Sequence, residues 1–531
     1  MKTAFTAIVL VLMSTCHLLS APGDVLLELP APGKFCSGLA WDGQALWSAD
    51  DKTDSLYRLD PKSGTVLRRL ASPGHWPRGL AWDGRYLWVA DRGEKKIFQV
   101  NPENGWIVRT IDAPASSPSG LCWDGSWLWL SDEGGKQIYR LDPQDGTAVK
   151  KFAAPGNSPQ DLAFDGLYLW CADRLEDEIT MIEPSNGEVI LICSSPGPYP
   201  RGLTWDGQTL WNVDYQTDRL YRLKRQDDER FRLGEKSKKR VTLTHQVHIA
   251  GSGALLQLEV AVAMPKNRPG QLIERWESIP SPTQRINDRW QQPFIQFSTR
   301  GPVFHRTLET VVRFDVELAA IRYFIFPDRC GTLADIPDSV RQRWLADGSK
   351  YDLNNEFIRE TARRVVGSET NPYWIARRIF DHVRQTLEYK LEGGWNSAPV
   401  VLDRGTGSCS EYTFSFVALC RAAGLPARYV GAIVVRGDDA SMDDVYHRWP
   451  EVYLPNYGWI PIDPQGGDKE SPRARAMGIG TLSNRFLITT EGGGDSEVLG
   501  WSYNIAEKIV SEPQAMITVE HFAEWEPLPD R

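Results

Sequence analysis

Three residues in the second half of the chain have the types and settings that covalent catalysis needs: Cys409, His447 and Asp463. Cys409 follows the glycine-rich turn Gly405-Thr406-Gly407-Ser408. It opens a stretch, Ser410 to Ala423, free of Pro and Gly and closed by Gly424 and Pro426. This predicts a helix with an apolar face through Tyr412, Phe416 and Leu419. A thiol at a helix N-terminus meets unpaired backbone N–H groups and the positive end of the dipole, which favour the thiolate. The same groups can hold a developing oxyanion. His447 lies in an expected strand, Val445 to Leu454. A hairpin through Pro455-Asn456-Tyr457-Gly458 returns the chain so that Asp463 meets His447. An imidazole beside a thiol draws off its proton, and a carboxylate fixes the imidazole's tautomer. Cys420, further along the same helix, reads as a buried filler.

The motifs around these residues are specific. Gly407-x-Cys409, the run Arg421-Ala422-Ala423-Gly424-Leu425-Pro426-Ala427-Arg428, His447-x-Trp449-x-Glu451-Val452-Tyr453, and Gly458-Trp459 with Asp463-Pro464 resemble the transglutaminase-like superfamily core over about 340–465. The resemblance implies a papain-like fold with Cys409, His447 and Asp463 as the triad. It also implies acyl transfer from an amide through a Cys409 thioester. Arg428 and Trp459 read as structural, and Trp395, upstream of the nucleophile, as a residue shaping the acyl site. Arg448 and Pro450 flank Trp449 where the family usually carries smaller or β-branched residues, which alters the rim of the cleft and removes no catalytic group. No acidic cluster has calcium-loop spacing, so no metal and no cofactor is expected.

Several elements must position this site. Asn371-Pro372 is a helix start, with Asn as cap and Pro at the first position, and Ile375, Ile379 and Val383 follow on one face. Upstream, alternating apolar residues from Val241 to Ile249 and Leu256 to Val262, with a later pair of strands at Val312 to Leu318 and Ile321 to Phe326, predict a β-sandwich-like domain over 241–330, after a basic linker from Gly234 to Arg240. The catalytic core is expected over 338–480. The remainder, 481–531, is expected to cover the core with extra strands and a tail.

The first half is a repeat. Asp-Gly recurs every 41 residues at Asp42, Asp83, Asp124, Asp165 and Asp206, in step with Trp47, Trp88, Trp129, Trp170 and Trp211 and with Asp50, Asp91, Asp132, Asp173 and Asp214. A period of this length fits one four-stranded propeller blade, and Asp-Gly between apolar runs is a hairpin signal. The last repeat lacks its fourth strand. Val25 to Gly33 matches that strand, so the N-terminus is expected to complete the fifth blade. The region resembles short-blade propellers of the NHL and YVTN type: an all-β five-bladed propeller over 24–230. Its Trp residues, and Cys36, Cys122, Cys171 and Cys193, read as core. The loops that vary between repeats, His75-Trp76-Pro77-Arg78, Ser116 to Ser119 and Tyr199-Pro200-Arg201, mark one end as a candidate binding face.

Across 531 residues, 24% are charged and 41% hydrophobic, which excludes a disordered chain or a membrane bundle. A net charge of -9 argues against nucleic acid as a partner. Residues 1–21 read as a signal peptide, with Lys2, the apolar run Ala7 to Met13 and small Ser20-Ala21. Thr15 disfavours a lipid anchor on Cys16. No later stretch reads as a membrane span. Of eight Cys, seven follow the leader, with no Cys-x-x-Cys pair and no disulfide framework. The whole reads as an exported, periplasmic or extracellular cysteine enzyme. A peptidase or amidase comes first, with the propeller recruiting a protein or cell-wall substrate. The alternatives are a cross-linking protein-glutamine γ-glutamyltransferase and a non-catalytic propeller scaffold.

Overall fold

The computed structural model describes residues 21–226, 229–391, 395–434 and 442–529. The expected leader and Cys16 lie outside the described residues, apart from Ala21. The architecture is mostly β, built from small four-stranded sheets, one long-stranded pair of sheets and one helix-covered sheet.

The repeats form five antiparallel four-stranded sheets. Four use consecutive strands, the first being Cys36–Trp41, Leu46–Asp50, Ser55–Leu59 and Val66–Ala71. The fifth, Pro200–Trp205, Leu210–Asp214 and Arg219–Leu223, is completed by the N-terminal Val25–Pro30, which pairs antiparallel with Arg219–Leu223. The first strands of successive sheets pack side by side and return to the start, so the sheets close a ring.

The 41-residue spacing has a local cause. In every sheet the indole Nε1 of the second strand donates to the Asp of the preceding Asp-Gly turn, from Trp170 to Asp165 at 2.7 Å to Trp47 to Asp42 at 3.0 Å. The turn and the largest core side chain are therefore one unit. The strand-ending aspartates tie loops: Asp91 accepts from the N–H of Trp76 and of Glu94, each at 2.8 Å.

At the axis the first strands approach so closely that a Cβ on Gly79 would lie 2.4 Å from the Leu121 nitrogen. The fourth repeat carries Asp161 at the corresponding position. Its wholly buried carboxylate accepts from the N–H groups of Leu39, Leu121, Leu162 and Leu203 at 2.9–3.1 Å and closes the axis.

The middle unit differs in its limits from the expected 241–330. Its central strand is Phe231–Gly251, so the basic run Gly234 to Arg240 is strand and not linker. This strand pairs with Arg306–Tyr323 on one side and with Ala515–Pro527 on the other. In the facing sheet Leu255–Ala263 pairs with Pro293–Val303 and with Ile505–Ser511. Val241, Val260, Phe297, Phe314 and Trp525 fill the space between. Of the segment expected to cover the core, Phe486–Gly492 does join the sheet of the last unit, whereas Ile505–Ser511 and Ala515–Pro527 complete this sandwich. The reason is hydrogen bonding: strands this long leave a row of unpaired groups on each edge unless a partner covers them.

The last unit is a sheet in the order Gly458–Pro461, His447–Leu454, Ala427–Val434 and Phe486–Gly492. Helices Glu356–Val366, Pro372–Thr386, Ala398–Arg404 and Cys409–Ala422 share its core. Asn371 caps Pro372–Thr386, accepting from the Tyr373 N–H at 2.9 Å. The ring docks on this unit by its edge. Val189–Ser194 packs on the short helix Pro472–Ala476, Arg377 pairs with Glu188, and Arg473 pairs with Glu178 at 2.5 Å.

Candidate active site

Cys409 is the first residue of the helix Cys409–Ala422, and Ser408 is its cap. The wholly buried Glu411 accepts from the Ser408 N–H at 3.0 Å, reaching back across the first turn. It also accepts from the Asn396 N–H at 3.0 Å and lies 3.1 Å from Arg404. One carboxylate therefore holds the segment after Trp395, the end of the preceding helix and the nucleophile's turn.

His447 begins the strand His447–Leu454, and the hairpin pairs Leu454 with Gly458 and Glu451 with Pro461. Asp463 follows two residues past that pairing, and its Oδ2 lies 3.0 Å from His447 Nε2. The Gly466 N–H donates to Asp463 Oδ1 at 2.9 Å. A Cβ on Gly466 would lie 2.7 Å from Oδ2, so the turn needs a residue without a side chain. With Nε2 committed to Asp463, Nδ1 is the ring nitrogen left for the thiol, and His447 lies near enough to Cys409 to lower its pKa. The structure thus brings Cys409, His447 and Asp463 into one chain of contacts.

Electrostatics set this thiol apart. Burial opposes a charged Cys409, but the hydrogen bond and charge of His447, with the backbone N–H and charge of Arg448, outweigh it and hold the thiol below its ordinary value. Burial also opposes the His447 imidazolium. The charge and hydrogen bond of Asp463, joined by those of Cys409, override it and raise the imidazole to about 10. Asp463 is held down in turn, since His447 and the local N–H groups outweigh its loss of water. The seven described cysteines are all free and buried. Cys36 and Cys193 are pushed up to about 12 by burial, and Cys122, Cys171, Cys330 and Cys420 also go up. Cys409 alone goes down.

Arg428 and Trp459 are structural. Arg428 pairs with the buried Glu451 at 2.7 Å and stacks on Trp459, with its guanidinium 4.4 Å from the ring centre. Arg268 of the sandwich reaches the same Glu451 and, at 3.0 Å, Glu491. Trp395 lies beside the nucleophile's surroundings, its ring 6.2 Å from that of Tyr503 and 5.0 Å from the Arg448 guanidinium. Residue types alone did not point to Glu411, Tyr503 or the burial of Arg448. The Ser-x-x-Glu spacing at 408–411 is a capping-box signal that could have found Glu411. Arg448 is almost wholly buried, caged by Tyr503, Tyr429, Trp395 and Phe414, and donates to the Trp501 carbonyl. Its position beside His447 gave no such hint.

A cavity of about 220 Å³ adjoins Asp463, lined by Trp449, Leu482 and Phe486. Met477, Thr481, Leu482 and Ser483 are shared with a second cavity of about 470 Å³ that reaches Ile192 and Cys193 on the ring's edge strand. Among the described residues no group of three or more His, Cys, Asp or Glu side chains could hold a metal ion. No described helix is long and apolar enough to cross a membrane.

Residues 359–464 match the model of the transglutaminase-like superfamily. Among curated relatives, an uncharacterized protein of Haemophilus influenzae is 26% identical over 152 residues, covering 24% of this chain and 41% of the relative. The uncharacterized protein YebA of Bacillus subtilis is 31% identical over 163 residues, covering 27% of this chain and 20% of YebA. The chain therefore spans less than half the length of either. Among solved structures, a candidate cysteine protease from Cytophaga hutchinsonii is similar over 57% of this chain and 94% of its own, at 14% identity and TM-score 0.41. The glutaminyl cyclase of Myxococcus xanthus is similar over 38% of this chain and 95% of its own, at 17% identity and TM-score 0.34.

Proposed function

We propose that this protein is an exported cysteine amidase or peptidase, with Cys409 as nucleophile, His447 as general base and acid, and Asp463 as the group that orients His447. The observation that carries this reading is the Cys409–His447–Asp463 chain, in which the thiol is held down while the six other described thiols go up. The thiolate attacks the amide carbonyl carbon, forming the S–C bond, and the N–H groups at the helix start face the oxyanion. The His447 imidazolium gives its proton to the leaving nitrogen as the C–N bond breaks. His447 then takes a proton from water, whose oxygen attacks the thioester. The acid product leaves and the thiol is restored.

The five sheets are read here as the blades of a five-bladed propeller, a reading supported by their cyclic packing and by the N-terminal strand in the fifth. Its role is recruitment of a protein or cell-wall substrate. The ring would hold such a substrate near the site, because the Pro155 carbonyl in a loop before the fourth sheet accepts from Ser471 and Arg473, on the segment that leads away from Asp463.

The test is alkylation of the purified protein by iodoacetamide between pH 5 and 9, comparing wild type with Cys409→Ala and His447→Ala. Labelling is expected at Cys409 well below pH 8.5, and about 10²-fold slower near pH 6 without His447. A Cys409 that reacts no faster than an ordinary thiol would sink the reading. Peptide cleavage with and without an added primary amine then separates hydrolysis from cross-linking.

A further inference from the structure

The mouth of the ring is built from positions the repeat leaves free to vary. The second residue of each first strand is Ser37, Arg78, Ser119, Gln160 or Arg201, and all five are buried. The residue after each strand-ending Asp is Asp51, Arg92, Glu133, Arg174 or Tyr215. The two sets meet one layer above Asp161, so side chains alike in register but different in charge converge on one axis.

The charges there do not balance. Glu133 is saturated: Arg92 lies at 2.5 Å and Arg174 at 3.5 Å, and Ser158 and Gln160 donate to it at 2.8 and 3.1 Å. Asp51 is shared by Arg201 at 2.9 Å and Arg78 at 3.4 Å, from the sheets on either side of its own. Four guanidinium groups thus face two carboxylates. Arg78 and Arg201 are 7% and 8% exposed, and the Nε of each has no hydrogen-bond partner. A buried donor without a partner destabilises the fold, more so when it is charged. Burial and the neighbouring Arg201 bring Arg78 down to about 10. A ring that served only its own stability would gain by filling these positions with Ser, as two of its repeats do. Trp76 stands at the rim, 42% exposed, with Arg78 and Arg92 flanking its ring at 5.4 and 5.2 Å. Tyr215 stacks on Arg201 at 4.3 Å.

We propose that the axial mouth of the ring is an oxyanion-binding site, in which Arg78 and Arg201 take a carboxylate or phosphate group of a ligand and Trp76 packs on the part next to it. The planar guanidinium fork matches both groups. The ligand's charge supplies the acceptor the two Nε donors lack.

The experiment is calorimetric titration of the full chain, in chloride buffer at fixed ionic strength, with sodium phosphate and separately with sodium acetate. Saturable binding of at least one anion is expected, and the tighter one names the group. Arg78→Met is expected to weaken it by at least about tenfold, with melting temperature in chloride kept or raised because an underpaired buried charge has gone. Arg109→Gln, on an outer strand where Arg109 bonds the Pro143 carbonyl, is expected to leave the affinity unchanged. Should Arg78→Met fail to fold, Arg78→Lys keeps the charge without the fork and is expected to lose affinity as well. No saturable binding of either anion, or an affinity unchanged in the Arg78 variants, overturns the proposal.

Discussion

Asp161 on the ring axis and Asp463 beside the nucleophile meet the same opposing force with opposite results. For both, loss of water is the largest influence and pushes the carboxyl up. Asp161 has four backbone N–H donors and still ends well above the usual carboxylate range. Asp463 has fewer donors but faces the His447 cation and ends below it. The thiols repeat the contrast: in Cys36, Cys122, Cys171 and Cys193 of the ring burial outweighs every other influence, while in Cys409 His447 and Arg448 outweigh burial. Asp161 fastens the strands through backbone N–H groups alone, with no cation against it to offset its burial. The catalytic core keeps formal charges within hydrogen-bond reach of one another, and there the partner outweighs the loss of water.

Removing the partner from the core should bring it nearest to the ring's behaviour. Asp463→Asn leaves the shape and removes the charge. Turnover is expected to fall by about 10²–10⁴-fold, and the alkaline limb of the pH–rate profile to move to lower pH, because Asp463 is what raises His447. The pair's contribution to stability has two limits. The His447 part is complete below the ordinary imidazole value and is lost as pH rises through the raised one. The Asp463 part is present above the ordinary carboxylate value and is lost as pH falls through its depressed one. A profile with unmoved limbs in the variant would break the comparison.

Glu411 sharpens it with a smaller effect. Glu411→Gln keeps an acceptor for the Ser408 N–H but gives up the charge facing Arg404, so about tenfold lower kcat/KM and roughly 1–2 kcal/mol of stability are expected, measured by turnover and urea unfolding. Asp161→Asn has the smallest reach, since it touches no reacting group. Two N–H donors would face an amide NH₂, at a cost of about 1–3 kcal/mol, with Cys409 labelling unaltered. The raised Asp161 makes wild-type stability fall as pH rises through its shifted value, while the variant lacks that dependence. The gap in melting temperature should therefore narrow with increasing pH, and a widening gap would mean that the N–H groups, not burial, govern this carboxylate.

What the sequence made legible is what short separations encode. Asp42 and Trp47 are five residues apart and bonded, so the repeat was visible at every turn. His447 and Asp463 are joined by one hairpin, and Cys409 opens its own helix. The fifth sheet needed a longer step and was still readable, because Val25 to Gly33 copies a strand present four times elsewhere. The sandwich was readable only in part: alternation showed its strands near Val241, Leu256 and Val312, but Ala515–Pro527 pairs with Phe231–Gly251 across about half of the chain, with no repeat to betray it. Asp161 escaped for another reason. It replaces a glycine, and only the closeness of the first strands at the axis turns that exchange into a plug. Arg448 reads as a surface charge until Tyr429 and Tyr503, distant in sequence, close over it.

That long-range pairing also reaches the surroundings of His447. Ala515–Pro527 also hydrogen-bonds to Met442–Asp443, just before His447, and its His521 stacks on Tyr446 with ring centres 5.5 Å apart. During synthesis the ring's sheets can assemble as each repeat emerges, up to the return of the N-terminal strand. The pairing of Met442–Asp443 and the stacking on Tyr446, beside His447, therefore form only after Ala515–Pro527 has been made, long after Cys409, His447 and Asp463 are in the chain.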